Sequence, residues 1–429
     1  MRVLILATTT GYQTRMFGEA ASRQGVELVY ATDRCDQIDD PWADGAIAVR
    51  YHDEWRSLDS LLKALGPDAV DGVLALGDRP TVMAAQVARQ LGLPGHPPDA
   101  ASAARDKRRT RQRQAAAGLP VPTCLTVPAS VDADAVVDRV VLPVVIKPTV
   151  LSGSRGVIRA DDPPSFVTAY GRVQQLLASP EVRELQDPEG DVIQIESYIP
   201  GEEYALEGVL EHGRLRTLAL FDKPDPLEGP FFEETIYVTP SRADAERQRQ
   251  IAAAVGAAAG AIGLHHGPVH AECRVNDQGV YVLEVAARCI GGLCAKTLRF
   301  GRPGAATIGL EELLLRHAIG EPIADWQREA EASAVMMIPI PRSGVYRRVD
   351  GVGEAEAIPG IEEVRITAKP DQGLLALPEG ATYLGFVFAR TATPVEAEAA
   401  VRAAHACLRF TIDPRLALVT PGLEGVRGG

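Results

Sequence analysis

A mixed α/β and α+β architecture is predicted for this chain, with a doubly wound N-terminal domain, a central core carrying a mobile covering module, and a small C-terminal α+β piece. Three observations predict it. Apolar runs fit for buried parallel strands alternate with helical stretches over residues 1–105. A strand that ends in lysine is followed directly by a glycine-rich loop. Two acids twelve positions apart flank a turn deep in the chain, with an arginine and a glycine pair just beyond. The expected divisions are 1–105, then 106–320 with the covering module at about 119–195, then 321–429.

The first strand is VLILAT, followed by a helical stretch to Gln24 and a second strand over Val26 to Ala31. Gly72 to Leu76 reads as another strand, and Thr81 to Leu91 as a helix closed by Gly92. The segment after the first strand is TTTGYQTRMFG rather than a spaced glycine triplet, so a nicotinamide cofactor is not expected in this domain. A break follows at Leu93-Pro94-Gly95-His96-Pro97-Pro98. Asp106-Lys107 then opens a basic helix that stops at Gly118. The covering module comes next: the strand VVIKP from Val144 to Pro148, the loop Ser152-Gly153-Ser154-Arg155-Gly156, the strand VIRA, a helix to Ala178 and the strand VIQIESYI. Pro200-Gly201 leads into a further strand, Glu202 to Gly208. After the acid hairpin a helix is expected from about Gly309 to His317. The strands MMIPI, GVYRRV and LGFVFAR follow, then a helix from Pro394 to about Leu408 whose start, Thr393-Pro394-Val395-Glu396, has a capping box and proline at the first helical position.

Composition narrows the function. Apolar content of 46% and charged content of 24% are those of an ordinary globular protein. A net charge of −13 argues against nucleic acid, which needs a basic footprint. The longest small-apolar stretch, from Ile251, is too short to cross a bilayer, so no membrane partner is expected. Thr8, Thr9, Thr10 and Gly11 interrupt the N-terminal apolar run where an export signal would continue, which points to the cytoplasm. The six cysteines, Cys35, Cys124, Cys273, Cys289, Cys294 and Cys407, show no paired spacing for zinc and read as reduced, buried small hydrophobes. Cys289 and Cys294 flank the glycine pair, but neither has a histidine partner in sequence, so a thiol nucleophile is not expected.

Glu272 and Glu284 bracket Asp277-Gln278-Gly279. A three-residue hairpin loop with Gly279 in the left-handed position sets residue 272 across from residue 284, with both side chains on one face. Opposed like charges destabilise a sheet unless a cation sits between them, and oxygen-only ligands suit Mg²⁺ carrying phosphates. Arg288 falls on the same face by the period of two. The alternative is a solvated hairpin with scattered charges. Lys147, at the end of an apolar strand, is costly to bury unless an anion awaits it, and a phosphate would satisfy it. Ser152, Gly153, Ser154 and Gly156 supply backbone N–H groups that can fold over phosphate oxygens. By itself that loop reads equally as a flexible surface turn.

Together, in this order, these segments resemble the ATP-grasp superfamily over essentially the whole chain. The resemblance implies that Lys107 and Lys147 hold the phosphates of ATP, and that Glu196 and Ile199 form the adenine hinge mainly through backbone groups. It also implies that Glu203 takes the ribose hydroxyls and that Glu272 and Glu284 bind one or two Mg²⁺ ions, for which Mn²⁺ could substitute. Arg288 and the N–H of Gly291 would steady an acyl phosphate and the oxyanion formed when it is attacked. Glu207, His270 and Gly292 are the candidates for substrate contacts, with a hydrogen-bonded structural histidine as the other reading of His270. Lys223 falls on a candidate substrate-side loop, where an exposed lysine is the stronger expectation. Many members of the superfamily carry Asn two residues after the second acid, whereas this chain has Ala286, which puts the number of ions in question.

EVAARCIGG together with PEGATYLGFVFAR is similar to the branch containing L-amino acid ligases. That implies ATP-dependent joining of a small carboxylate to an amine through an acyl phosphate, with a homodimer as a common assembly. Two rivals stand beside it: a biotin-carboxylase-like or purine-pathway enzyme using bicarbonate or formate, and a regulator that binds ATP without turnover. Phe221 to Pro240 lacks the Arg/Gln/His-rich stretch of biotin carboxylases, and retention of both acids, both lysines and Arg288 weighs against the regulator.

Overall fold

The computed structural model describes residues 1–8, 11–33, 45–66 and 70–414; Cys35 lies outside them. The N-terminal part of the chain is built on a parallel four-stranded sheet in the order Ala46–Ala48, Glu27–Thr32, Arg2–Ala7, Gly72–Leu76. Val3, Leu4, Ile5 and Leu6 have no exposure at all. That is why the strand reads as a continuous apolar run: helices cover both faces of the sheet, among them Tyr12–Gln24, Glu54–Leu65 and Thr81–Gln90. Strand order reverses between Arg2–Ala7 and Gly72–Leu76, the place where such sheets open a crevice at the carboxyl ends of their strands. Tyr12 and Gln13 after the first of these strands, and Gly77 and Asp78 after the second, line one cavity.

The basic helix runs Lys107–Ala116, with the Asp106 side chain accepting from the N–H groups of Arg108 and Arg109. Beyond it stands a small antiparallel sheet in the order Cys124–Pro128, Val192–Ser197, Val144–Pro148, Ile158–Ala160. Helix Pro163–Ala178 packs on it through Phe166, Tyr170 and Val173, all fully buried, and starts at an Asp162/Ser165 capping box.

The largest sheet has eight antiparallel strands: Gly279–Ala286, Gly267–Asn276, Glu202–Glu211, Arg214–Lys223, Ile236–Thr239, Ala332–Ile338, Gly385–Thr391, Ile361–Ile366. Helix Ala245–Ile262 covers one end of it, and the last three strands carry the same ladder into the C-terminal piece. There, helix Pro394–Cys407 has the Thr393/Glu396 capping box that its sequence predicts. Gly201, at φ 126°, turns the chain into strand Glu202–Glu211; a Cβ there would stand 2.2 Å from the Val275 carbonyl oxygen, so only glycine fits. Among the described residues no helix is long and apolar enough to cross a membrane.

Candidate active site

The acid hairpin keeps the expected pairing by a different route. Its loop has two residues, Asp277 and Gln278, because Asn276 pairs with Gly279, and the ladder stays in that register as far as Cys273 opposite Val282. Left so, Glu272 would face Leu283. A bulge at that point inserts one residue, and Glu272 comes to stand opposite Glu284. The three-residue loop is thus corrected to a two-residue turn plus a bulge, and Gly279 sits at φ 132°, outside the left-handed helical well. The carbonyls turned outward at the bulge need donors. Arg111 of the basic helix supplies them, donating to the Val282 oxygen at 2.8 Å and the Leu283 oxygen at 2.6 Å.

The two acids face a cavity of about 540 Å³ enclosed by the N-terminal crevice, the covering module, the large sheet and the C-terminal piece. Lys107, Lys147, Ser152, Gly153, Ser154, Glu196, Ile199, Glu203, His270, Glu272, Glu284, Arg288, Gly291 and Gly292 all line it. Two sequence candidates do not. Gly156 turns away and donates its N–H to the Pro378 oxygen at 2.8 Å, and Glu207 is fully buried behind the wall.

Lys147 meets its anion within the protein. Its Nζ lies 2.5 Å from the Glu196 carboxylate, which also accepts from Arg111 Nε at 2.7 Å and Gln194 Nε2 at 2.7 Å. To the expected phosphate the structure adds a carboxylate partner for Lys147, and Glu196, expected to act mainly through backbone groups, also engages its side chain. Burial would raise the Glu196 carboxyl, but Arg111 and Lys147 outweigh it and hold it down at about 2. Burial, reinforced by Arg111, lowers the Lys147 ammonium against the pull of Glu196. An ammonium has three donors, so Lys147 keeps some for the cavity it lines.

Lys223 is the largest departure from expectation. It is the last residue of a central strand, its side chain is 3% exposed, and its Nζ lies 2.8 Å from Glu203, 2.7 Å from Glu234 and 3.3 Å from Glu272. Burial opposes its charge, but the three carboxylates raise it well above the ordinary lysine range. Oxygens of Glu203, Glu234 and Glu272 all lie within 4.8 Å of one another. Glu234 is a site residue that sequence reasoning did not find. It belongs to the strand-to-strand connection that Lys223 opens, and its position in FFEE carries no motif. Burial and its neighbour Glu272 raise the Glu234 carboxyl. For Glu272, burial is outweighed by Lys223 and His270, which hold its carboxyl below the ordinary range.

Arg288 emerges beyond the end of its strand and forks onto Asp78 at 2.8 and 3.1 Å, joining the N-terminal crevice to the acid hairpin. Burial alone would raise the Asp78 carboxyl, but Arg288 reverses this. His270 sits between two acids, with Nδ1 3.1 Å from Glu207 and Nε2 3.8 Å from Glu272. Burial would lower its pKa, yet those carboxylates raise it to about 9, so it is a charged bridge. Glu207 also accepts from the Ile290 N–H at 3.0 Å and fixes the start of the glycine-pair loop. The thiols of Cys289 and Cys294 are pushed far up by burial, in keeping with inert packing.

An ion bound here would meet hard oxygen donors from Glu272 and Glu284, the donor set that suits Mg²⁺, while Ala286 offers none. Tyr198 and Phe232 line the cavity with their ring centroids 6.5 Å apart, Arg274 lying 5.2 Å from the Tyr198 ring and Arg159 3.9 Å from it, an aromatic patch on the wall. Tyr12, Met337, Tyr383 and Phe386 give the wall a second, apolar patch. These aromatics come from four separate parts of the chain, which hid them from sequence reading.

Residues 140–297 match the model of the ATP-grasp domain, and residues 336–413 match that of L-amino acid ligase C-terminal domain 2. The structure is similar to that of an L-amino acid ligase from Bacillus licheniformis, with a TM-score of 0.81 at 25% identity, covering 96% of this chain and 98% of that one. An uncharacterized protein from Sinorhizobium fredii is 27% identical over 80% of this chain and 69% of its own length. Alanine–anticapsin ligase from Bacillus subtilis is 29% identical over 48% of this chain and 46% of its own, so the match spans about half of that relative. A phosphoribosylglycinamide synthetase from Anaerococcus prevotii shares the fold at a TM-score of 0.66 and 15% identity, covering 96% of this chain and 99% of that one.

Proposed function

Because the chain is an ATP-grasp protein carrying the C-terminal domain of L-amino acid ligases, we propose that it joins an amino acid or similar carboxylate to an amine or second amino acid, forming ADP and phosphate. The observation that carries this reading is the in-register pair Glu272 and Glu284 on the wall of a cavity shared with Lys107, Lys147 and Arg288.

The aromatic patch at Tyr198 and Phe232 suits a purine ring, Glu203 the ribose, and the N–H groups of 152–154 with Lys107 and Lys147 the phosphates. Glu272 and Glu284 would hold Mg²⁺, which neutralises charge on the transferring phosphoryl group. A carboxylate oxygen attacks the γ-phosphorus, ADP leaves, and the acid becomes a mixed anhydride. An amine can attack this anhydride because phosphate, unlike oxide, is a feasible leaving group. Asp78 takes two bonds from Arg288 and the Cys289 carbonyl a third, which leaves two of its five N–H donors for an anion in the cavity. With the Gly291 N–H it can stabilise the acyl phosphate and the oxyanion of the tetrahedral adduct. Glu207 and His270 act from behind, fixing the Ile290 amide and the Glu272 carboxylate. Water must be kept from the anhydride, a task that falls to the covering module at about 119–195. We further propose that the first and last divisions, 1–105 and 321–429, complete the substrate end of the cavity, and that the enzyme works in the cytoplasm as a homodimer.

The test is phosphate release from ATP and Mg²⁺ across all pairs of amino acids, with hydroxylamine to trap the activated acid. Release should require a carboxylate, and Glu284→Ala should lower it by about 10³-fold, the order of loss expected when charge stabilisation at the reacting centre is removed. Release that needs bicarbonate and quickens with free biotin, or nucleotide binding with no turnover on any pair, would overturn the reading.

A further inference from the structure

The covering module meets a loop of the C-terminal piece, residues 375–383, between strands Gly373–Leu374 and Gly385–Thr391. Gly156 donates its N–H to the Pro378 oxygen at 2.8 Å, and Arg155 donates Nε to the Glu379 backbone oxygen at 2.8 Å. Arg172, on helix Pro163–Ala178, forks onto the Glu379 carboxylate at 2.7 and 2.9 Å. Two to four residues beyond Glu379, Ala381, Thr382 and Tyr383 of the same loop line the cavity, Ala381 beside Gly153 and Tyr383 edge-on to Phe386. One short loop therefore grips the glycine loop and forms part of the cavity wall.

On the reading given above, we propose that Glu379 is a positioning residue. Through Arg172 its carboxylate holds the covering module, whose glycine loop the same segment grips by the Pro378 and Glu379 backbone oxygens, down over the nucleotide when the 381–383 wall is set by a bound carboxylate. ATP cleavage is thereby tied to the presence of an acid. The fork is poorly suited to a role in stability, since the Arg172 and Glu379 side chains are 37% and 40% exposed and surface ion pairs contribute little. Its bidentate geometry gives direction rather than energy. The covering module keeps a separate tie to the connection between strands Arg214–Lys223 and Ile236–Thr239, Arg159 donating to the Pro230 and Glu228 oxygens at 2.9 and 2.7 Å, so loss of the fork need not unfold it.

The experiment compares wild type, Glu379→Ala, Arg172→Ala and the charge-swapped double variant Arg172→Glu/Glu379→Arg, reading ADP and amide from the same samples. Each single variant should raise KM for ATP and the ADP formed per amide by about three- to fivefold, the range set by a half-exposed pair, and the swap should recover most of both. Trypsin cleavage after Arg155 gives a readout that needs no ligase activity: Mg·ADP should protect wild type and the swap but not the single variants. Unchanged KM, coupling and protection in Glu379→Ala, or a swap no better than the single variants, would overturn the proposal. A wild type that makes no amide from any pair yet shows the protection pattern would instead sink the ligase reading and leave the latch standing.

Discussion

Replacing Glu196 by alanine removes the one anion shared by two buried cations. The side chains of Arg111, Lys147 and Glu196 are 4%, 9% and 5% exposed, so solvent cannot take over the lost partner. Two routes give the magnitude. Breaking a buried pair from one side costs about 3–5 kcal/mol, because an uncompensated charge stays behind. Independently, the carboxyl falls from its ordinary 4.5 to about 2, which corresponds to about 3 kcal/mol of folded-state preference for the charged form. The folded value is the lower one, so this stability is complete above pH 4.5 and is lost as the pH falls toward 2. Urea melts at pH 7 should therefore show Glu196→Ala less stable by about 3–5 kcal/mol, with Glu196→Gln between it and wild type. The wild-type loss between pH 4.5 and 3 should be largely absent in both variants. A cost under about 1 kcal/mol at pH 7, the range of exposed pairs, would refute the buried triad.

Three further outcomes follow from the same geometry. His96 and His317 are held neutral, chiefly by burial, at about 4, so stability should be full above pH 6.5 and fall by up to about 1.4 kcal/mol per pH unit for each as the pH drops toward 4. His317→Asn should flatten that limb in a melting-temperature series, and an unchanged slope would count against it. His270 titrates upward, at about 9 against 6.5, so its contribution is full below pH 6.5 and is lost as the pH rises through 9; His270→Gln should remove that alkaline loss in urea melts, and an identical alkaline limb would refute the bridge. Gly201→Ala, which drives a Cβ to 2.2 Å from the Val275 oxygen, should cost about 1–3 kcal/mol and raise KM for ATP by displacing the hinge, both readable in melts and steady-state kinetics.

Much of the site was legible because its signals are local. Asp106 before a basic helix, lysine at a strand end and Thr393 with Glu396 at a helix start each act within a few residues, where spacing alone fixes which groups can meet. The pairing of Glu272 with Glu284 was legible too, although the loop and bulge that produce it were not, since a two-residue turn plus one inserted residue gives the same register as a three-residue turn. Gly156 was grouped with its loop on spacing, while a contact with Pro378 turns it elsewhere.

Residue pattern alone settled the strand and helix succession, the fold and the opposed acids, because periodicity and capping are properties of neighbours in the chain. Which charges neutralise one another was settled by packing. Arg288 finds Asp78 across 210 residues, Arg111 finds Glu196 across 85, and Lys223, read from sequence as exposed, becomes the buried centre of three carboxylates. A charge enters the interior only when a partner of opposite sign is brought to it, and at such separations folding alone chooses the partner.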